Sequence, residues 1–143
     1  MTTAEIESLL ARVRRATGPD RELDADVLVA LECIEEAAWD IIVGKDVINK
    51  LAGRTYSHPA PVTASIDATV ALIERVLPGW AIAHIGEDYT SPPKHTIGWT
   101  VELEEADGPT FQGQASTLPL ALLEVLLLAL LHQASDKGMI DVE

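Results

Sequence analysis

The chain has 143 residues, the size of one domain, and 48% of them are hydrophobic with only one Phe, three Trp and two Tyr, so a single aliphatic core is expected. Ten Lys and Arg against 23 Asp and Glu give a net charge of −13, which opposes nucleic acid and anionic membrane, because both are bound by neutralising phosphates. One cysteine, Cys33, excludes an intrachain disulfide, reads as a small buried apolar group and fits a reducing compartment.

The N-terminal MTTAEIESLL is amphipathic and lacks the charged start and apolar run of a signal peptide, so a cytoplasmic location is expected. Thr2 and Glu5 form a Thr-x-x-Glu capping box, and Ile6, Leu9, Leu10 and Val13 follow at helical spacing. Thr17-Gly18-Pro19 ends this helix, with Gly18 suited to a left-handed cap. Asp20 caps a second helix whose apolar positions run Leu23, Val27, Ala30, Leu31, Ile34, Ala38 and Ile41, to a stop at Gly44. Glu32, Glu35 and Glu36 fall on its wet face. A short third helix fits Lys45 to Leu51. The non-periodic stretch GRTYSHPAPVT, residues 53–63, is held extended by Pro59 and Pro61 and gathers Arg54, Tyr56 and His58.

Thr63 or Ser65 caps the next helix, striped by Ile66, Val70, Ile73, Val76 and Leu77 and broken by Pro78-Gly79. Three strands follow. Trp80–Ile85 is short and apolar on both faces, as in a strand covered on each side, and the loop GEDYTSPP comes after it. The second strand alternates Ile97, Trp99, Val101 and Leu103 with Thr96, Gly98, Thr100, Glu102 and Glu104, which predicts one buried and one wetter face. Asp107-Gly108-Pro109 turns the chain into a weaker strand, Thr110–Ala115, with Phe111 inward.

Ser116 and Thr117 can cap the most apolar stretch, LPLALLEVLLLALL, Leu118 to Leu131. It has no polar half and is shorter than the roughly 20 residues a membrane span needs, so it reads as the central helix of a core or an oligomer seam. Glu124, its one acid, is expected on a strip facing water. His132 falls at its C-terminal end, and the tail ASDKGMIDVE is expected to fray.

The resulting fold class is α+β: a three-stranded antiparallel sheet in a helix-sheet-helix sandwich, with an α-β-β-β-α core at 63–133, an N-terminal helical part at 1–53 and a tail at 134–143, all in one domain. The same element order occurs in double-stranded RNA-binding domains, but 63–133 holds two cations, Arg75 and Lys94, against nine acids, which argues against RNA. Three blocks, ATGPDRELDADV, TASIDATVALIERVLPGW and ASTLPLALLEVLLLAL, resemble small phage and prophage proteins carrying the phage ABA sandwich domain. The resemblance implies helix, sheet, helix layering and a phage-type origin; it carries over no chemistry and no site residues. Between Leu31 and Leu51 the chain departs from that pattern, with a helical stretch where a shorter Trp- and Pro-bearing connection is expected.

No Gly-x-Ser-x-Gly, glycine-rich phosphate loop or His-Glu-x-x-His occurs, and the four histidines, His58, His84, His95 and His132, form no i,i+4 pair, so no catalytic residue, metal ligand or cofactor is named. Glu102, Glu104 and Glu105 read as the solvated edge of a strand. The excess of apolar helix predicts a non-enzymatic accessory protein acting through protein association, as a homo-oligomer. The rival expectation is a small-molecule binder that sequesters nucleotides, with Arg54, Tyr56, His58, Tyr89, Lys94 and His95 supplying stacking and phosphate contacts.

Overall fold

The computed structural model describes the backbone of residues 2–31, 41–43, 46–49, 54–56, 60–90 and 95–142, and side chains within 2–31, 60–90 and 96–135. The first helix, α1 (Thr3–Arg15), starts as its residues dictate: the Thr2 hydroxyl accepts from the Glu5 amide at 3.1 Å and the Glu5 carboxylate accepts from the Thr2 amide at 3.2 Å. Its buried stripe is Ile6, Leu9, Leu10 and Val13. Ala16, in extended conformation, ends it, so the expected left-handed Gly18 cap is not used; among the described glycines only Gly79 has a positive φ. Asp20 caps α2 (Arg21–Ala30) by accepting from the Leu23 amide at 3.0 Å.

The second helix ends at Ala30, well short of Gly44. Ile41–Val43, expected to finish it, is instead the strand β1, and Asp46–Asn49, expected in a third helix, is β2. A third short strand, β3 (Arg54–Tyr56), lies within the stretch expected to be an unstructured connection. The three pair antiparallel in sequence order, with Val43 opposite Asp46 and Val47 opposite Tyr56. Ile41, Ile42, Val43, Val47 and Ile48 are β-branched, so they lose side-chain freedom in a helix and suit a pleated ribbon. The apolar three-and-four spacing of this region reproduced a helical pattern by coincidence. Cys33, Glu32, Glu35 and Glu36 lie outside the described residues.

Ser65 caps α3 (Ile66–Val76) by accepting from the Ala68 amide at 3.2 Å, and Gly79, at φ 87°, turns the chain out of it. Its buried residues are Thr69, Leu72 and Ile73, whereas Ile66, placed on the apolar stripe by its spacing, is exposed. The second sheet then forms from β4 (Ala81–Thr90), β5 (His95–Glu104) and β6 (Thr110–Ala115), antiparallel in that order. This is the expected three-stranded meander between two helices. Asp107, at φ 57°, takes the left-handed position of the turn into β6, although Gly108 stands next to it.

The first of these strands differs from its sequence reading. It is ten residues long rather than six, absorbs Gly86–Thr90 from the expected loop, and is an edge strand with Ala81, Ala83, His84, Ile85, Tyr89 and Thr90 exposed. Among the described residues it therefore lacks the two-sided cover that its apolar start suggests. The carboxylates of Glu102 and Glu104 belong to the central strand, not to an edge.

Helix α4 (Leu118–Val142) has 25 residues and continues through the tail expected to fray. Its segment Leu118–Ser135 is, by length and composition, long and apolar enough to cross a membrane, which the fourteen-residue reading did not anticipate. Here Leu120–Leu123, Val125–Leu127 and Ala129 are fully buried. One side packs on β5 and β6, and the others meet α1 and α3, with α2 resting on α1. Burial of each leucine contributes about 1.5–3 kcal/mol, so α4 supplies the largest share of the core.

Contact between sheet and helix is unusually close at Gly113. A Cβ there would lie 2.7 Å from both the Ala121 carbonyl oxygen and the Val125 amide nitrogen, so β6 rests directly on the backbone of α4. Val101 and Leu103 are fully buried beside it. Trp80 stacks on Phe111 with ring centroids 5.8 Å apart, and Phe111 meets His132 at 5.1 Å. His132 thus stands in the middle of a long helix rather than at its end.

Glu124 corrects a sequence expectation. It is buried at 9% exposure instead of facing water, because α1 packs over the side of α4 that carries it. Arg14 of α1 approaches its carboxylate at 3.9 Å.

Candidate functional site

One buried polar cluster fixes the helices around the sheet. Asp24, fully buried, accepts from the Arg21 guanidinium at 2.7 Å and from the Thr63 amide at 2.7 Å. The Thr63 hydroxyl accepts from the Asp20 amide at 2.8 Å and lies 3.2 Å from the Asp20 carbonyl. This cluster ties the start of α2 to the turn leading into α3. The Thr69 hydroxyl continues it, placed at 2.8 Å from the Val62 carbonyl and 2.7 Å from that of Ser65.

The face of β4–β5–β6 turned away from α4 is polar. Alternation places His84, Gly86 and Asp88 of β4 beside Gly98, Thr100 and Glu102 of β5, and Gln112 and Gln114 of β6. Asp88 pairs with Gly98 and Thr100 pairs with Gly86, so each cross-strand pair has one member without a side chain. The two remaining side chains meet on the diagonal: the Thr100 hydroxyl donates to the Asp88 carboxylate, whose oxygens are 2.8 and 3.0 Å away. Gln114 donates to the same hydroxyl at 3.3 Å. Satisfied in this way, Thr100 is 8% exposed on an otherwise open face. The imidazole of His84 lies over Gly86, where a Cβ would come within 2.7 Å of its Nε2.

At the far end of the β4–β5 hairpin the register slips. Asp88 opposes Gly98 but Tyr89 opposes Thr96, leaving Ile97 as the extra residue. The slip breaks the alternation and turns Ile97 outward, 64% exposed, although its spacing places it with Val101 and Leu103. The Thr96 hydroxyl donates to the Glu87 carboxylate across the same slip. A second slip, between Ile82 and His84, makes Ala83 the extra residue on β4.

Arg54 and Tyr56 fall on β3, opposite Asn49 and Val47, and Tyr89 and His95 fall on β4 and β5 at the end of their hairpin. Tyr89 is 54% exposed. His58 and Lys94 lie outside the described residues, as do the side chains of Arg54, Tyr56 and His95. The backbone thus brings Tyr89 and His95 to one hairpin end, and puts Arg54 and Tyr56 on the other sheet. Sequence reasoning missed the Asp88–Thr100–Gln114 trio because it joins three strands at positions with no shared motif; the alternating glycines Gly86 and Gly98 were the available signal. Among the described residues no group of three His, Cys, Asp or Glu is arranged to hold a metal ion.

Comparison with family models, curated proteins and solved structures yields no match.

Proposed function

We propose that the chain is a non-enzymatic, phage-type accessory protein of the cytoplasm that works through protein association, with self-association as its first mode. The phage-type origin rests on the resemblance of the three sequence blocks alone. The observation that carries the association reading is the placement of exposed apolar side chains. Of the four large ones among the described residues, Ile85, Tyr89 and Ile97 belong to the β4–β5 hairpin, and only Ile66 lies elsewhere. Exposed apolar groups gathered on an edge hairpin mark an interaction surface more often than a solvated one.

The apolar excess that first suggested oligomers is consumed inside the molecule, since α4 is covered by the sheet, α1 and α3 of its own chain. Association is therefore assigned to the hairpin and not to α4. Nucleotide sequestration is the less favoured reading, because β4, β5 and β6 together carry Glu87, Asp88, Glu102 and Glu104 and no Lys or Arg, a poor cradle for phosphate. Light scattering on the full chain from micromolar to submillimolar concentration tests the proposal. Mass should rise above that of one chain, and Ile85→Glu with Ile97→Glu should suppress the rise; a constant single-chain mass throughout overturns it.

A further inference from the structure

We propose that the association partner is a second copy of this chain, docked edge to edge through β4 with Gly86 on the two-fold axis. The inference rests on the association reading above and deepens it by naming the partner and the register.

Among the described residues β4 is an edge of its sheet, and its longest unbroken register with β5 is His84–Asp88, between the slips at Ala83 and Ile97. Gly86 is the centre of that five-residue run. A two-fold axis normal to the sheet keeps each residue on its own face, so a strand pairing with its copy joins residues of equal parity. With the axis on Gly86, all five residues of one run face all five of the other. Moving the axis to Ile85 or Glu87 leaves residues of the run facing a slip, and on Glu87 it also sets two like charges directly opposite, which is destabilising.

Charge favours the same register. His84 stands opposite the partner's Asp88, and Asp88 opposite the partner's His84, on the open polar face. Directly opposed Cβ atoms are about 5 Å apart, within reach of an imidazole N–H and a carboxylate. Asp88 can accept this bond while it holds the Thr100 hydroxyl, because a carboxylate has about four acceptor positions. On the axis the two glycines bring no side chains, which leaves space for the imidazoles already lying over them. On the other face Ile85, 42% exposed, gains cover from the partner's strand. Edge strands able to pair further are aggregation hazards, and a closed two-fold pairing removes one. Five paired residues bury less than the roughly 1,200 Å² of a stable specific interface, so the dimer depends on concentration.

The test uses the full chain in a Cys33→Ser background, which removes its one native thiol. Opposed positions in an antiparallel pair match the Cα separation of about 5.5 Å that a disulfide requires. Gly86→Cys should therefore form a disulfide-linked dimer under mild oxidation at least tenfold faster than Gln112→Cys, a control on the same face of the opposite edge strand. Independently of any cysteine, His84→Glu should weaken dimerisation by about tenfold, through two new carboxylate oppositions, while His84→Lys should not weaken it. Circular dichroism of each variant verifies folding. A dimer that persists with Gly86→Cys no faster than the control and His84→Glu without effect overturns this register and leaves self-association standing. A chain that stays single at every concentration overturns both.

Discussion

Asp24 is the residue on which most of the polar interior depends. Its carboxylate is inaccessible to water and has two partners, the Arg21 guanidinium and the Thr63 amide, each at 2.7 Å. Replacing it by Ala leaves the buried Thr63 amide without an acceptor, at about 1–3 kcal/mol, and also removes the 2.7 Å pair with the partly exposed Arg21. Urea denaturation of Asp24→Ala should show a loss of about 3 kcal/mol, and a loss under about 1 kcal/mol would remove the cluster from its structural role. Glu124 is the opposite case. Its contact with Arg14 is 3.9 Å, too long for a hydrogen bond, and the Arg14 side chain is 54% exposed and can return to water. An apolar replacement of similar volume removes a carboxylate that α1 has covered without binding well. Glu124→Leu should keep or raise stability, by up to about 1 kcal/mol, and a clear drop in the melting temperature would refute this. Neither role was legible in the sequence: Asp24 and Glu124 stand among neighbours of ordinary acidic and apolar type, and their burial is decided by segments distant along the chain.

At the scale of elements, local chemistry was readable and packing was not. The Thr2–Glu5 box, the Asp20 and Ser65 caps and the break at Pro78-Gly79 act within a few residues, so the ends they dictate hold in the fold. The strands β1 and β2 escaped because their β-branched residues also satisfy a helical period, β3 because its stretch is non-periodic and rich in Gly and Pro, and β4 was cut short because its second half, Gly86 to Thr90, has a loop's composition. Ile97 was misplaced by a one-residue slip that periodicity does not encode. The junction of β6 and α4 yields a prediction of its own. Gly113→Val would push Cγ atoms into a backbone already at van der Waals limit, where the nearest atoms belong to Ala121 and Val125 and have no rotamer to escape through. Overpacking commonly costs about 1–3 kcal/mol, and this site, with main chain on the far side, should fall at or above the upper end. A thermal melt of Gly113→Val no lower than that of Gln112→Val would show that sheet and helix are not in such close register.

For the whole molecule, the α+β class, the three-stranded meander and its place between α3 and α4 follow from the order of elements, and the structure has them. The candidate site was legible only in part. Tyr89, expected among the ligand contacts, is exposed at the hairpin end, yet the polar face around Thr100 emerges only once β4, β5 and β6 are laid side by side. Surface charge of −13 sets a general repulsion between copies, so any self-association must come from a local patch that outweighs it, and the dimer should strengthen as salt screens that repulsion.

The bond between Asp24 and Thr63 spans 39 positions of the chain, and the Asp20–Thr63 bonds span 43. The start of α2 and the turn before α3 are thus clamped together, and the chain between them is closed into a ring. The entropic cost of such a ring rises by only about 0.6 kcal/mol for each doubling of its length. A change in the number of residues between α2 and α3 thus alters the closure cost of the clamp only slightly. Residues added to or removed from that segment should therefore leave the Asp20–Asp24–Thr63 clamp in place.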